Sequence, residues 1–202
     1  MLVTTRMTGK PVTATPDELL IQARVKMGKG NFRRLPVVTD GQLVGIITDR
    51  DMQRHVGLMD RTTVKEAMTH KPITVTPGTT VEAAAQLLLK QKINGLPVVE
   101  NTHLVGVITT SDILQAFLEV MGASEETSTR IDFVLDKEKN GLTEASRIVS
   151  QEGGEVLGVG TYRGKWGESR VCNLRFRSGD AHAIVQVLRE RGFEVLGVYA
   201  VG

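Results

Sequence analysis

Cysteine and aromatic residues are scarce in this chain of 202 residues. Cys172 is the single cysteine, which excludes an intramolecular disulfide and a cysteine-based metal cluster. Aromatic residues form 4% of the sequence and the formal net charge is only +2, which leaves little to attract nucleic acid. No apolar run approaches the roughly 18 residues of a membrane span, and the N-terminal segment lacks a signal-peptide core. We therefore expect a soluble cytoplasmic protein that binds neither nucleic acid nor membranes.

The first 121 residues contain an internal repeat with an offset of 61 positions. The segment LVGIITDRD begins at Leu43 and returns as LVGVITTSD at Leu104. Without a gap, the same offset aligns MT at 7–8 with 68–69, LPVV at 35–38 with 96–99, and Asp51 with Asp112. Because proline, glycine and aspartate stay in register throughout, the chain carries a duplication. We predict the copies to be domains at 1–61 and 62–121.

Both copies show the same order of predicted elements: strand, helix, two strands and helix. Proline-bounded β-branched segments, apolar residues at helical spacing and paired apolar runs predict these elements. The first strand of each copy is predicted at 11–15 and at 72–76. The first helix is predicted at Asp17–Lys29 and at Thr80–Lys92, and the last helix at Asp49–Val56 and at Ser111–Val120. Asp49 and Ser111 are the predicted N-caps of the last helices. Neither copy can bury its sheet alone, so we expect the two to pack together.

A Thr-x-x-Asp segment closes each copy where a strand meets a helix. A threonine hydroxyl beside free helix-start amides can hold phosphate oxygens. The aspartate three residues later can accept hydrogen bonds from a vicinal diol, as on ribose. The same residues can also serve only to cap the helix and to favour its dipole. For a single copy both interpretations stay open.

Residues 7–121 resemble a tandem pair of cystathionine-β-synthase (CBS) domains, a module that commonly binds adenosyl ligands. The matching segments are MTGKPVTATP, RRLPVV and LVGIITDRD, with MTHKPITVTP, NGLPVV and LVGVITTSD. The resemblance implies a pseudo-two-fold pair with two clefts. One cleft would be formed by Lys10, Val12, Phe32, Arg33, Pro36, Thr109, Ser111 and Asp112. The other would be formed by Thr48, Arg50, Asp51, Lys71, Ile73, Ile93, Asn94 and Pro97.

The resemblance also implies how these residues would bind AMP, ADP, ATP or S-adenosylmethionine. The two aspartates would take the ribose hydroxyls, and the two threonines with nearby cations would take phosphate. Val12 with Phe32, or Ile73 with Ile93, would sandwich the purine. Arg33 and Arg34 precede the first LP, so we expect the Asp112 cleft to bind the more highly charged nucleotide. Arg50 gives the other cleft a cation of its own, and these arginines could also be merely solvated.

The last third of the chain contains a second internal repeat. A small, polar stretch at 122–129 is typical of a linker. GGEVLGV at 153–159 then returns as GFEVLGV at 192–198, each after a segment of helical period and an earlier strand candidate. Strand–helix–strand repeated twice predicts a ferredoxin-like βαββαβ domain at 130–202.

This predicted domain resembles an ACT domain, a family in which the turn after the first strand helps to bind amino acids at a subunit interface. By position that turn would offer Asp136, Asn140 and Gly141. Amino-acid binding and a purely dimerising role both remain open. A CBS pair followed by an ACT-like segment is also similar to bacterial accessory proteins of acetoin utilisation, which implies a metabolic enzyme as partner.

We therefore predict an α/β (α+β) protein with two CBS repeats and an ACT-type domain, assembled as a homodimer. Its expected function is non-enzymatic sensing of an adenine nucleotide. The scattered histidines predict no metal site, and no nucleophile elbow is present. The alternatives are a structural dimerisation module with empty clefts and a small enzyme or enzyme subunit.

Overall fold

The computed structural model describes residues 1–124, 127–135, 141–163 and 170–201. The chain divides into two compact units, Met1–Leu114 and Gln115–Gly202, and the division falls within a helix. The predicted boundary between the second repeat and the linker lies a few residues further along, after 121. The predicted linker, 122–129, ends inside a strand that begins at Ser128.

The two halves of the first unit have the same elements. The strands are β1 (Thr8–Gly9), β2 (Arg34–Thr39), β3 (Gln42–Thr48), β4 (Thr69–His70), β5 (Gly95–Glu100) and β6 (His103–Thr109). The helices are α1 (Leu20–Gly30), α2 (Asp49–Gln53), α3 (Val64–Ala67), α4 (Val81–Gln91) and α5 (Thr110–Val120), and a 3-10 turn at Val3–Thr5 precedes β1. The 61-residue offset superposes the bounds of α1, β2 and β3 on those of α4, β5 and β6.

The long helices α1 and α4 bury the faces predicted from their periodicity. Those buried residues are Leu20, Ala23 and Met27 in α1, and Val81, Ala84 and Leu88 in α4. α1 begins at Leu20 and not at the predicted Asp17, because the amide of Leu20 bonds to the Thr62 carbonyl at 2.9 Å and the preceding residue is extended. Both helices end at a residue with left-handed backbone, Asn31 and Lys92.

The strands predicted at 11–15 and 72–76 are wrong. Each segment is reduced to a single parallel bridge, Ala14 to Val37 and Val75 to Val98. The Ala14 amide donates to the Pro36 carbonyl, and its own carbonyl accepts from Val38, both at 3.0 Å. Prolines bound the segments and lack the amide that a longer ladder needs, so pairing stops after one residue.

The halves exchange their short strands. β1 of the first half pairs with β6, with Thr8 opposite Val107, and β4 pairs with β3, with Thr69 opposite Ile46. A bridge between Gln42 and His103 joins β3 to β6, giving the sheet order β1-β6-β3-β2 with β4 on β3 and β5 on β6. As a result, β1 lies beside the middle of β6, which belongs to the other repeat.

The second unit has the predicted ferredoxin-like topology. Its elements are β7 (Ser128–Leu135), α6 (Gly141–Gln151), β8 (Glu155–Arg163), β9 (Arg170–Arg177), α7 (Ala181–Glu190) and β10 (Val195–Val201). The antiparallel sheet has the order β10-β7-β9-β8. One sheet face and both helices form an apolar core that includes Phe133, Leu174 and Ile184. Together with the duplicated elements of the first unit, this confirms the predicted mixed α/β class.

Candidate functional site

The two Thr-x-x-Asp segments form matching capping boxes. Asp51 Oδ2 accepts from the Thr48 amide at 3.0 Å and from its hydroxyl at 2.6 Å. Asp112 Oδ2 accepts from the amide and the hydroxyl of Thr109, both at 2.7 Å. Each threonine hydroxyl also accepts from the aspartate amide, at 3.3 and 3.4 Å. The N-caps predicted at Asp49 and Ser111 are therefore wrong, because Thr48 and Thr109 satisfy the free helix-start amides.

The capping boxes limit what these residues can offer a ligand. The hydroxyl hydrogen of Thr109 already points to Asp112, so the hydroxyl is not free to donate to phosphate. One oxygen of the Asp112 carboxylate is used in the box. The other oxygen has no hydrogen bond within the described part of the chain, so its lone pairs can accept from a ligand.

A cavity of about 780 Å³ lies within the first unit, between the segment from Thr8 to Val12, the start of β2, the residue before β5, the end of β6 and the start of α5. This volume is in the range of small-molecule binding sites. The lining residues are Thr8, Lys10, Pro11, Val12, Asn31, Phe32, Arg33, Arg34, Pro36, Asn94, Val107, Thr109, Thr110 and Ser111. Seven of the eight residues predicted for one cleft line this cavity. The eighth, Asp112, is tied to the lining through Thr109.

Positive charge dominates this cavity. Lys10, Arg33 and Arg34 line it, whereas no carboxylate does among the described residues. Lys10 has a left-handed backbone with φ of 48°, which is unusual for a residue with a side chain. Such conformations cost energy and tend to cluster at ligand sites. The cation-rich lining suits an anionic ligand.

Arg34 was noted in the sequence but left out of the predicted cleft. It is half-buried, and its Nη1 donates to the carbonyl of Gly95 at 3.4 Å. Burial, together with the neighbouring charge of Arg33, lowers the pKa of the Arg34 guanidinium. In the sequence, the Arg-Arg pair before LP indicated that Arg34 could contribute to a cleft. The contact between Arg34 and Gly95 could not be predicted, because it joins residues of different repeats.

The apolar part of the cavity offers two partly exposed side chains. Val12 is 44% exposed and Phe32 is 42% exposed. A Cβ at Gly30 would overlap the Phe32 ring, so the glycine leaves room for the aromatic side chain. An aromatic ring and an aliphatic side chain of this kind can contact the two faces of a planar base.

The residues predicted for the other cleft are related to the first set by the 61-residue offset. Lys71, which also has a left-handed φ of 48°, follows β4, and β4 pairs with β3, the strand that ends at Thr48. Ile73 and Arg50 are exposed, Ile93 is half-buried and Pro97 is buried. Asn94, however, lines the 780 Å³ cavity of the first set.

The candidate contacts of the second unit are described only in part. Asp136 and Asn140 lie outside the described residues. Gly141 is the buried first residue of α6, and a Cβ built there would touch Leu135 and Phe193 at 3.6 Å. Gly141 therefore faces apolar side chains.

Within residues 1–124, 127–135, 141–163 and 170–201, no group of three His, Cys, Asp or Glu side chains could hold a metal ion. No helix in this part of the chain is long and apolar enough to cross a membrane.

Comparison with protein families gives two matches to one model. The model of the CBS domain matches residues 3–57 and again 64–119. The CBS domain-containing protein YhcV of Bacillus subtilis is 32% identical over 110 residues, covering 53% of this chain and 79% of YhcV. Inosine-5'-monophosphate dehydrogenase of Staphylococcus haemolyticus is 35% identical over 125 residues. That match covers 60% of this chain but only 25% of the dehydrogenase.

Solved structures of CBS pairs match the same region. The CBS domain pair of protein MJ0100, in complex with 5'-methylthioadenosine and S-adenosyl-L-methionine, has 33% identity and a TM-score of 0.54. The match covers 58% of this chain and 95% of that one. CBSX2 from Arabidopsis thaliana, in complex with AMP, has 29% identity and a TM-score of 0.53, covering 59% and 97%.

Proposed function

This chain belongs to the CBS domain family, and on that premise we propose that its first unit binds an adenine nucleotide or a related adenosyl ligand. The proposed site is the 780 Å³ cavity of the first unit. Two similar CBS pairs have been solved with AMP, or with 5'-methylthioadenosine and S-adenosyl-L-methionine. The observation that carries the proposal is that seven of the eight residues predicted from the sequence for one cleft line a single cavity.

In the proposed complex the base, the ribose and the phosphates each contact side chains of matching polarity or charge. The purine lies between Val12 and Phe32, both of which keep exposed apolar surface. The ribose hydroxyls donate to the second oxygen of Asp112. The phosphates contact the cationic side chains Lys10, Arg33 and Arg34 and lie near the N-terminus of α5, whose dipole favours anions. The Thr109 hydroxyl is engaged with Asp112 and does not contact them. A second, weaker site would use the residues around Asp51.

We further propose that the protein is a regulatory sensor and not a catalyst. A ligand at ten times its dissociation constant stabilises the form that binds it by only about 1.4 kcal/mol. The response must therefore come from two states with different cleft geometry, passed on through the ACT-like unit or the homodimer. The link to acetoin utilisation and to a metabolic enzyme rests on domain order alone.

Titration calorimetry with AMP, ADP, ATP and S-adenosylmethionine tests this function. We expect wild-type protein to bind at least one of them, and Asp112→Ala to weaken the tighter site about tenfold or more, because a charged hydrogen-bond acceptor is lost. Asp51→Ala is the matched control, since it removes the equivalent capping box from the other repeat. It should leave the tighter site within about twofold of wild type, a change smaller than one hydrogen bond.

The outcomes separate the proposed function from its rivals. If no member of the panel produces heat, the chain is better described as a structural dimerisation module or accessory subunit with unoccupied clefts. Recovery of altered nucleotide after incubation would point to an enzyme. Sedimentation of the same samples tests the homodimer against the 22.0 kDa mass of one chain.

A further inference from the structure

We propose that the second unit binds a small hydroxy-carboxylate on the face of its sheet that points away from α6 and α7. Arg175 would hold the carboxylate, and the buried Asp132 would accept a hydrogen bond from the hydroxyl group of the ligand. The proposed site is independent of nucleotide binding by the first unit. It uses none of the residues that the ACT resemblance offered in the turn after β7.

The strand register shows which side chains share this face. Alternate residues of β7 and β9, among them Phe133, point into the core that the two helices cover. On the other side Arg130 lies opposite Arg175, and Asp132 lies opposite Asn173, on the two central strands. Asp132 and Asn173 are only 3% and 7% exposed. Polar side chains buried this deeply are expected to have hydrogen-bond partners.

The two arginines differ in how their charge is balanced. Arg130 donates to both oxygens of the Asp132 carboxylate, from Nε at 2.9 Å and from Nη2 at 2.8 Å. Arg175 is half-buried, and among the described residues it donates only to the neutral hydroxyl of Ser128, at 2.8 Å. Like charges directly opposite each other across a strand pair are destabilising. An anion beside Arg175 would remove this cost.

Asn173 is the second group on this face that lacks a partner. Its side-chain amide makes no hydrogen bond within the described part of the chain, although the residue is buried. The amide lies against Gly160, where a Cβ would come within 2.9 Å of Nδ2 and 3.2 Å of Oδ1. Leaving such donors and acceptors unpaired is costly. Asn173 and Arg175 lie two residues apart on one face of β9, so both can donate to one carboxylate.

Two tyrosines limit the size of the ligand. Tyr162, on the edge strand β8, donates to Asp132 at 3.1 Å. On the other edge strand, the ring centroid of Tyr199 lies 4.7 Å from Cζ of Arg130. These tyrosines are 45% and 50% exposed, whereas Asp132 and Asn173 between them are buried. The buried pair therefore forms the floor of a recess that admits a small ligand.

The charge of the recess selects the class of ligand. Two arginines and one aspartate leave a single net positive charge, which attracts a monoanion. The ammonium group of an amino acid would meet both guanidinium groups, and a phosphate dianion would bring two charges to the Asp132 carboxylate. Asp132 accepts three hydrogen bonds, and a carboxylate can take about four. A neutral hydroxyl group can supply the fourth without repulsion.

The test uses four probes that share a three-carbon skeleton: L-lactate, L-alanine, propionate and lactamide. Each is titrated into the full isotopically labelled chain, and NMR follows the side-chain amide of Asn173 and the Nε–H of Arg175. We expect lactate to shift both signals saturably. Propionate lacks the donor for Asp132 and alanine carries an ammonium group, so each should bind at least about fivefold more weakly. Lactamide has no negative charge and should leave both signals in place.

Arg175→Gln should weaken lactate binding about tenfold or more, because the charge-assisted hydrogen bonds are lost. Arg147→Gln is the matched control, since Arg147 is an exposed arginine of α6 that donates to Gln151 at 3.1 Å on the helix side of the sheet. It should stay within about twofold of wild type. Asn173→Ala should weaken lactate about fivefold without lowering the thermal midpoint, because the amide has no described partner to lose.

Three outcomes would overturn the inference. If lactate leaves both signals unshifted, or lactamide shifts them equally, the recess does not bind carboxylates. If alanine binds more tightly than lactate, the preferred donor is an ammonium group and not a hydroxyl group. If Arg175→Gln binds lactate like wild type, the anion does not lie at Arg175. Should Arg175→Gln fail to fold, unchanged lactate binding by Asn173→Ala decides against the site in the same way. A failure of nucleotide binding by the first unit would leave all these results standing.

Discussion

Single residues in this protein carry structural and proposed binding roles at once. Asp112 closes a capping box through one carboxylate oxygen and offers the other to a ligand. Its loss therefore weakens the start of α5 as well as the site, and a binding defect alone would not separate the two effects. Asp51 makes the same hydrogen bonds in the other repeat, so its loss removes an equivalent capping box without removing an acceptor from the tighter site.

Cys172 gives a prediction about stability and pH. Burial, aided by the charge of Asp132, raises the pKa of its thiol to about 11. A free cysteine in the unfolded chain titrates near 8.5. Between these values the folded state keeps a proton that the unfolded state loses, so the free energy of unfolding falls as pH rises, by at most about 1.4 kcal/mol per pH unit.

Urea unfolding of wild type and Cys172→Ala at pH 7, 8, 9 and 10 measures this effect. The alanine variant should be less stable at pH 7, because the thiol fills space in the core of the second unit. The stability difference between the two proteins should shrink from pH 8 to pH 10. A constant difference would show that the thiol does not titrate differently in the folded state.

At the level of elements, the exchanged strands β1 and β4 shape the clefts, and each depends on a glycine. A Cβ at Gly106 would lie 2.6 Å from Met7 Sδ and 3.0 Å from the Thr8 carbonyl. At Gly45 it would overlap Met68 Sδ and lie 3.1 Å from the Thr69 carbonyl. Any larger residue must push the short strand away from its partner.

Gly106→Val should therefore displace β1, and with it Lys10 and Val12, whereas Gly45→Val should displace β4. We expect both variants to lose about 1–3 kcal/mol in the free energy of unfolding, as overpacked positions do. Only Gly106→Val should weaken the tighter ATP site, about fivefold for a misplacement costing about 1 kcal/mol. Calorimetry and urea unfolding on both variants check this. Equal effects on the ATP site would argue against β1 as the element that positions it.

The same elements show what one sequence can predict. The duplication follows from the alignment of the two copies, and the paired strands and the buried faces of α1 and α4 follow from patterns within a single repeat; the structure has all of these. The N-caps were misassigned by one or two residues, because threonine and aspartate compete for the same helix-start amides. β1 has only two residues and pairs across the repeats, so it leaves no periodicity to read. The contact of Arg34 with Gly95 likewise exists only when both repeats are folded together.

For the whole molecule, the proposed sensor needs a change in the second unit when the first unit binds its ligand. Binding alone stabilises the first unit by mass action and requires no such change. If the two units are coupled, the ligand-free and ligand-bound states also differ in the conformation of residues that do not contact the nucleotide. Hydrogen exchange separates these cases, because it reports the opening of each segment separately.

We expect ATP at ten times its dissociation constant to slow amide exchange in the cavity segments 8–12, 31–36 and 107–112. The slowing should reach about tenfold where exchange requires the ligand to leave, because the bound state is then favoured by about 1.4 kcal/mol. If the second unit receives the signal, amides of β7 and β9 should change as well, since these central strands exchange only when the unit opens. Asp112→Ala at the same ATP concentration is the control and should reduce both effects together, the slowing to about twofold or less, because a site weakened tenfold is then at most half-occupied. Protection confined to Met1–Leu114 would mean that ATP binds without a signal to the ferredoxin-like unit, and regulation would then have to act through the CBS repeats themselves.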